Sequence, residues 1–164
     1  MRKTIVISIL TLVLMISESC GEVVKPTFGN HMAYVFGSED NPKQRKYLLS
    51  KEKRTEVIKY HYKDEVINEK NIEFTYFPKT NTLNFGPDEF EETKNAEFRI
   101  ESIADIEFKR FHSTSDATDV TEPIFFNEDY GVLAIGNVMA PTVVLLPYKS
   151  DLKTAQKIYK MTFE

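Results

Sequence analysis

The chain has 164 residues, a net charge of −4 at neutral pH, 12 Phe, 8 Tyr, no Trp and a single Cys. The acidic balance excludes general nucleic-acid binding and a purely electrostatic hold on anionic lipid, and one cysteine excludes an internal disulfide. A chain of this length suits one domain, which must draw its stability from aromatic and aliphatic packing.

At the N-terminus, Arg2 and Lys3 precede an uncharged, mainly apolar run over residues 5–16, and Ser17-Glu18-Ser19 follows as a short polar stretch. This is the layout of a secretory signal. A helix over the apolar run, at ~1.5 Å per residue, would be roughly 18 Å long against a hydrocarbon core of about 30 Å, so a cleaved export signal is expected rather than a membrane span. Ser19-Cys20-Gly21 resembles the end of the lipobox of bacterial lipoproteins, in which a small residue precedes the cysteine that is lipidated and becomes the mature N-terminus. The chain departs from that pattern in Ser17, where Leu is usual, in Ile16, one place too early, and in Glu18, where a small residue is usual. The resemblance covers the first 21 residues and implies cleavage before Cys20 and acyl chains on it, each buried CH₂ contributing about 0.8 kcal/mol to membrane binding.

Ser17-x-Ser19 also satisfies the small-x-small rule of ordinary signal peptidase, which would cut at the same place and leave a free thiol. Lipidation accounts for both the position and the solitude of Cys20. Gly21 rather than Asp after the cysteine points, by the enterobacterial sorting rule, to the outer membrane rather than the inner. The expected organisation is a signal peptide over residues 1–19, a lipidated tether over 20–30 and one β-rich domain over 31–164. Loss of Arg2, Lys3 and Glu18 with the leader makes the mature chain one unit more acidic.

In chain order, Met32, Tyr34 and Phe36 alternate with His31, Ala33 and Val35, which predicts a strand with two fairly apolar faces. Residues 42–57 admit a short helix, with Asn41 capping and Pro42 in the first turn, or equally a strand that turns at residues 51–54. Ile58, Tyr60 and Tyr62 share one face of a strand. Ile72, Phe74 and Tyr76 share another, and Leu83 and Phe85 a third after the turn Pro78-Lys79-Thr80-Asn81, so residues 72–85 read as a β-hairpin. The acidic run at 87–92 is expected to be a loop. Ala96, Phe98 and Ile100 then align, as do Ile106 and Phe108, while Phe111 falls out of phase and suggests a bulge or a strand end. Residues 113–123 read as a polar loop.

The runs at 123–126, 130–136 and 142–147 are apolar on both faces, as expected of central strands covered on each side. Although 131–147 is mostly apolar, Asn137, Pro141 and Thr142 interrupt it, which favours two strands over a membrane helix. Leu152, Ala155, Ile158 and Tyr159 recur at helical spacing behind Asp151, predicting a C-terminal helix that covers one face of the sheet. The fold class expected is mostly β (α+β): a single antiparallel sheet, barrel or sandwich, closed by that helix. This layout resembles lipocalin-like proteins, although their Gly-x-Trp signature is absent.

Candidate chemistry is sparse. Ser113 and Ser115 lie beside His112 and Asp116, but no Gly-x-Ser-x-Gly elbow accompanies them. His31, His61 and His112 form no local pair of the kind that zinc sites use. Asp88, Glu89, Glu91 and Glu92, and Asp116, Asp119 and Glu122, make two oxygen-rich clusters without EF-hand spacing, which read as solvated faces. Phosphate-cradling glycine motifs are missing, and no cofactor, metal or catalytic residue is expected. The one assigned site residue is Cys20, for lipidation. The chain reads as a lipid-anchored, non-enzymatic envelope protein that binds an envelope protein or glycan through the loops at 87–92 and 113–123, or serves structurally. The alternative is a carrier of a small apolar ligand lined by strand Tyr and Phe.

Overall fold

In the computed structural model the described residues are 27–37, 41–100, 106–116 and 121–163. The expected signal peptide, Cys20 and most of the expected tether lie outside them. Among the described residues ten strands follow one another: β1 Thr27–Phe36, β2 Lys43–Lys53, β3 Ile58–Asp64, β4 Ile72–Phe77, β5 Thr82–Phe85, β6 Asp88–Arg99, β7 Glu107–Ser113, β8 Ile124–Asn127, β9 Gly131–Ile135 and β10 Thr142–Pro147, and then the helix α1, Leu152–Phe163. Each strand pairs antiparallel with its neighbour in sequence, and β1 also pairs with β10, so the sheet closes into a barrel. Of the arrangements open to the sequence, this is the closed one, in which every described strand has a neighbour on both sides.

Two apolar cores sit on the two sides of this wall. The lumen is filled by side chains that meet across it: the Phe126 ring of β8 stands 5.2 Å from Tyr60 of β3, 4.9 Å from Tyr76 of β4 and 5.8 Å from Phe111 of β7. The second core lies outside, where α1 sets Ala155 and Ile158 against Phe125, Leu133, Ala134, Val144 and Leu146. This is why β8 to β10 are apolar on both faces; all five residues of β9 are buried. The Asp151 carboxylate caps α1 by accepting the Thr154 N–H at 2.8 Å, and Phe36 stacks on Tyr159 at 4.4 Å. Among the described residues no helix is long and apolar enough to cross a membrane, and residues 131–147 form β9, β10 and their connection.

The structure decides or corrects four local expectations. Residues 43–53 are a strand, because Tyr47 and Leu49 are buried while Leu48 between them is 36% exposed, a period of two. The supposed acidic loop is the first half of β6: Phe90 pairs with Leu83 and is fully buried, and Glu89 and Glu91 on either side face out. β1 starts at Thr27 and so takes in Gly29 and Asn30, which the sequence reading placed in the tether. Phe111 does leave the phase of Ile106 and Phe108, because it faces the other side of β7, which itself stays regular. Phe108 packs in the outer core and Phe111 in the lumen, and the irregularity lies in the partner strand, where residues 93–96 of β6 face Arg110 alone.

The 72–85 hairpin forms as expected. Asn81 closes its turn at φ 56 and accepts the Tyr76 hydroxyl at 2.7 Å, a left-handed position that Asn tolerates.

Candidate functional site

At the end of the barrel where β1 begins and β2, β8 and β10 end, the lumen opens into a cavity of about 250 Å³. Strand phase brings its walls together. Gly29 and His31 continue the inward face of Ala33 on β1, and Leu49 and Lys51 continue that of Tyr47 on β2. Tyr60 lies directly opposite Lys51 in the β2–β3 register. Asp129 and Tyr130 come from the β8–β9 turn, and Pro147 from the end of β10. That turn is held by Asn127, whose Oδ1 accepts the N–H groups of Asp129 and Tyr130 at 2.8 and 3.0 Å. Gly131 follows it at φ +91, where a side chain would be strained.

The polar groups of the mouth are few and ordered. The Lys51 ammonium and the Tyr60 hydroxyl both donate to the Glu128 carbonyl, at 2.7 and 2.5 Å. Lys51 Nζ also lies 3.6 Å from Asp129, whose side chain is 95% exposed, and 5.7 Å from the centre of the Tyr60 ring. His31 is buried, its ring edge-on to Tyr62 and Tyr130 at 5.9 and 5.7 Å, with Nδ1 3.5 Å from the Gly29 carbonyl. Burial holds its imidazole below the ordinary 6.5, against the opposing pull of that carbonyl, so it is neutral at pH 7. Burial likewise pushes the phenols of Tyr60, Tyr62 and Tyr130 well up, and all three stay protonated. The mouth is an aromatic and aliphatic box with a neutral imidazole inside and one ammonium at its rim.

The residues singled out from the sequence do not gather here. His31 faces the lumen, whereas His61 sits on the outer wall 2.9 Å from Glu73, and His112 meets Thr93 at 3.1 Å. Among the described residues no group of three His, Cys, Asp or Glu could hold a metal ion. Ser113 turns inward while His112, next to it, is exposed, and the Ser113 hydroxyl accepts the Ser115 N–H at 3.1 Å, closing a local turn. Glu92 of the first acidic cluster pairs with Lys109 at 2.9 Å. In the second, Glu122 accepts the Ser113 N–H at 3.2 Å, and Asp119 lies outside the described residues, as does Cys20.

Sequence reasoning missed Lys51, Asp129 and Tyr130. The signal for Lys51 was present: a lysine that continues the apolar phase of Tyr47 and Leu49 marks where a strand leaves the core. No family model, no curated protein and no solved structure matches the chain.

Proposed function

We propose that the protein is an exported, lipid-anchored binding protein of the bacterial envelope, non-enzymatic, that holds a small ligand at the mouth of its barrel. The observation that supports this reading is the cavity of about 250 Å³ with mostly apolar walls and a few ordered polar groups, the composition of small-molecule sites in general. The lumen behind it is filled by Tyr60, Tyr62, Phe74, Tyr76, Phe90, Phe111 and Phe126. The ligand is therefore shallow and small, unlike the deep chamber expected of a lipocalin-like carrier. Export, the anchor at Cys20 and residence at the outer membrane rest on the N-terminal sequence.

A second reading, contact with an envelope protein or glycan, draws support from another face. Val138 and Met139, 59% and 81% exposed on the β9–β10 connection, adjoin a groove lined by Arg110, His112 and Glu122. Native mass spectrometry of the protein extracted from membranes separates the two. A small non-covalent adduct supports the mouth as the site of binding. A bare protein mass with a co-purifying macromolecule contradicts it and supports the second reading.

A further inference from the structure

We infer that the ligand at the mouth is a small monocarboxylate with an apolar body, its carboxylate taken by Lys51 in place of Asp129. This rests on the reading of the mouth as a binding site and names the chemistry of its occupant.

The body of the ligand follows from the walls. Leu49, Tyr130 and Pro147 supply aliphatic and aromatic surface to the lining, with the fully buried Tyr60 behind them. A volume of about 250 Å³ equals roughly eight waters at about 30 Å³ each, which suits a single ring or a short aliphatic chain.

The head group follows from Lys51, the one lysine or arginine among the lining residues. An ammonium has three N–H donors, and the Glu128 carbonyl takes one at 2.7 Å. Asp129, at 3.6 Å, stands beyond hydrogen-bond range of a charge-assisted pair, and with its side chain 95% exposed it is solvated and weakly held. The Lys51 side chain is only 19% exposed. A partly desolvated ammonium beside an apolar box, with an easily displaced counter-ion, favours an anion that arrives attached to an apolar body.

One negative charge is the right number. Asp129, in the same lining as Lys51, would repel a dianion such as a phosphate ester more strongly than a monoanion. An amine would meet Lys51 itself. His31, kept neutral by its burial, adds a hydrogen-bonding group at the inner end without adding charge.

The test is calorimetric titration of the full-length protein in lipid nanodiscs with three probes of one shape: benzoate, benzamide and benzylamine. Benzoate should bind saturably, and the two congeners about tenfold more weakly or worse, the loss of one charge-assisted hydrogen bond. Lys51→Met should weaken benzoate by a similar factor while leaving thermal unfolding near that of the parent, because Tyr60 still satisfies the Glu128 carbonyl. Asp129→Asn should strengthen benzoate by removing its competitor. Lys79→Met, which deletes an exposed lysine paired with Glu56, should change nothing. Equal binding of the three probes, or benzoate affinity unchanged in Lys51→Met, would overturn the carboxylate assignment and leave the mouth as a binding site. Absence of binding by all three would overturn both.

Discussion

The hydroxyl of Tyr62 on β3 reaches across the lumen and accepts the N–H of Val132 on β9 at 2.8 Å. A bulge makes that amide available: Phe125 pairs with Ala134 and Phe126 with Val132, which leaves Leu133 as an extra residue in β9. The same hydroxyl fills the space beside Gly131, where an added β-carbon would collide with it. One phenol thus bridges the barrel and holds the strand that leads out of the mouth turn.

Tyr62→Phe should therefore cost about 1–3 kcal/mol, the penalty of a buried N–H left without its acceptor. Gly131→Ala should cost about as much or more, through both its positive φ and the collision. In the Tyr62→Phe background the collision is relieved, so the double variant should be more stable than the sum of the two losses allows. Urea unfolding of the four proteins measures this coupling; strict additivity would contradict the contact.

His31 should make stability fall in weakly acidic solution. Its folded pKa lies below the 6.5 of the unfolded chain because of burial. On acidification the unfolded state takes up the proton first, and stability that is complete above pH 6.5 is lost as pH falls toward the folded value. His31→Gln should flatten the stability profile just below pH 6.5. Asp64 acts lower. Burial pushes its carboxyl up, but the N–H groups of Ile67 and Val66 and the charge of Arg45 hold it below 3.8, so its contribution is lost only at more acid pH.

The buried phenols set the alkaline limit. Tyr60, Tyr62 and Tyr130 are pushed above the ordinary 10.0, in each case first by burial. Their stabilising effect is complete below pH 10 and is lost as pH rises through the folded values. Absorbance titration of tyrosinate should show part of the eight tyrosines resisting ionisation until the barrel unfolds cooperatively. Smooth titration of all eight near pH 10 would contradict the filled lumen.

The helix should be an integral part of the fold. Ile158 is fully buried between α1 and the barrel wall, so Ile158→Ala should cost about 2–5 kcal/mol. The exposed neighbour Lys157, changed to Ala, should shift stability by no more than about 0.5 kcal/mol. Equal effects of the two would mean that α1 does not cover β8 to β10.

Much of this architecture was legible in the sequence because each strand obeys a single local rule. Ile58, Tyr60 and Tyr62 alternate cleanly, the hairpin at 72–85 carries its turn residues, and the double-sided apolarity of β8 to β10 announced a cover on each face, which the lumen and α1 supply. β6 was hidden because one buried Phe90 among four carboxylates looks like solvated chain until its pairing with Leu83 is known. β2 was ambiguous for a similar reason, since Tyr47, Leu48 and Leu49 are contiguous and only tertiary contact shows which faces in. The mouth was the least legible feature. Lys51, Tyr60, Asp129 and Pro147 come from separate elements, and barrel closure, which joins the first strand to the last, is not a local property of the chain.

The anchor and the envelope location are tested most directly by the mass of the N-terminal tryptic peptide of membrane-fraction protein, taken with and without an inhibitor of lipoprotein signal peptidase. The proposed function predicts a peptide that begins at Cys20, carries diacylglyceryl mass and disappears on inhibition. An unmodified Cys20 with cleavage insensitive to the inhibitor would contradict the anchor, and the barrel would then be an exported protein with a free N-terminal thiol.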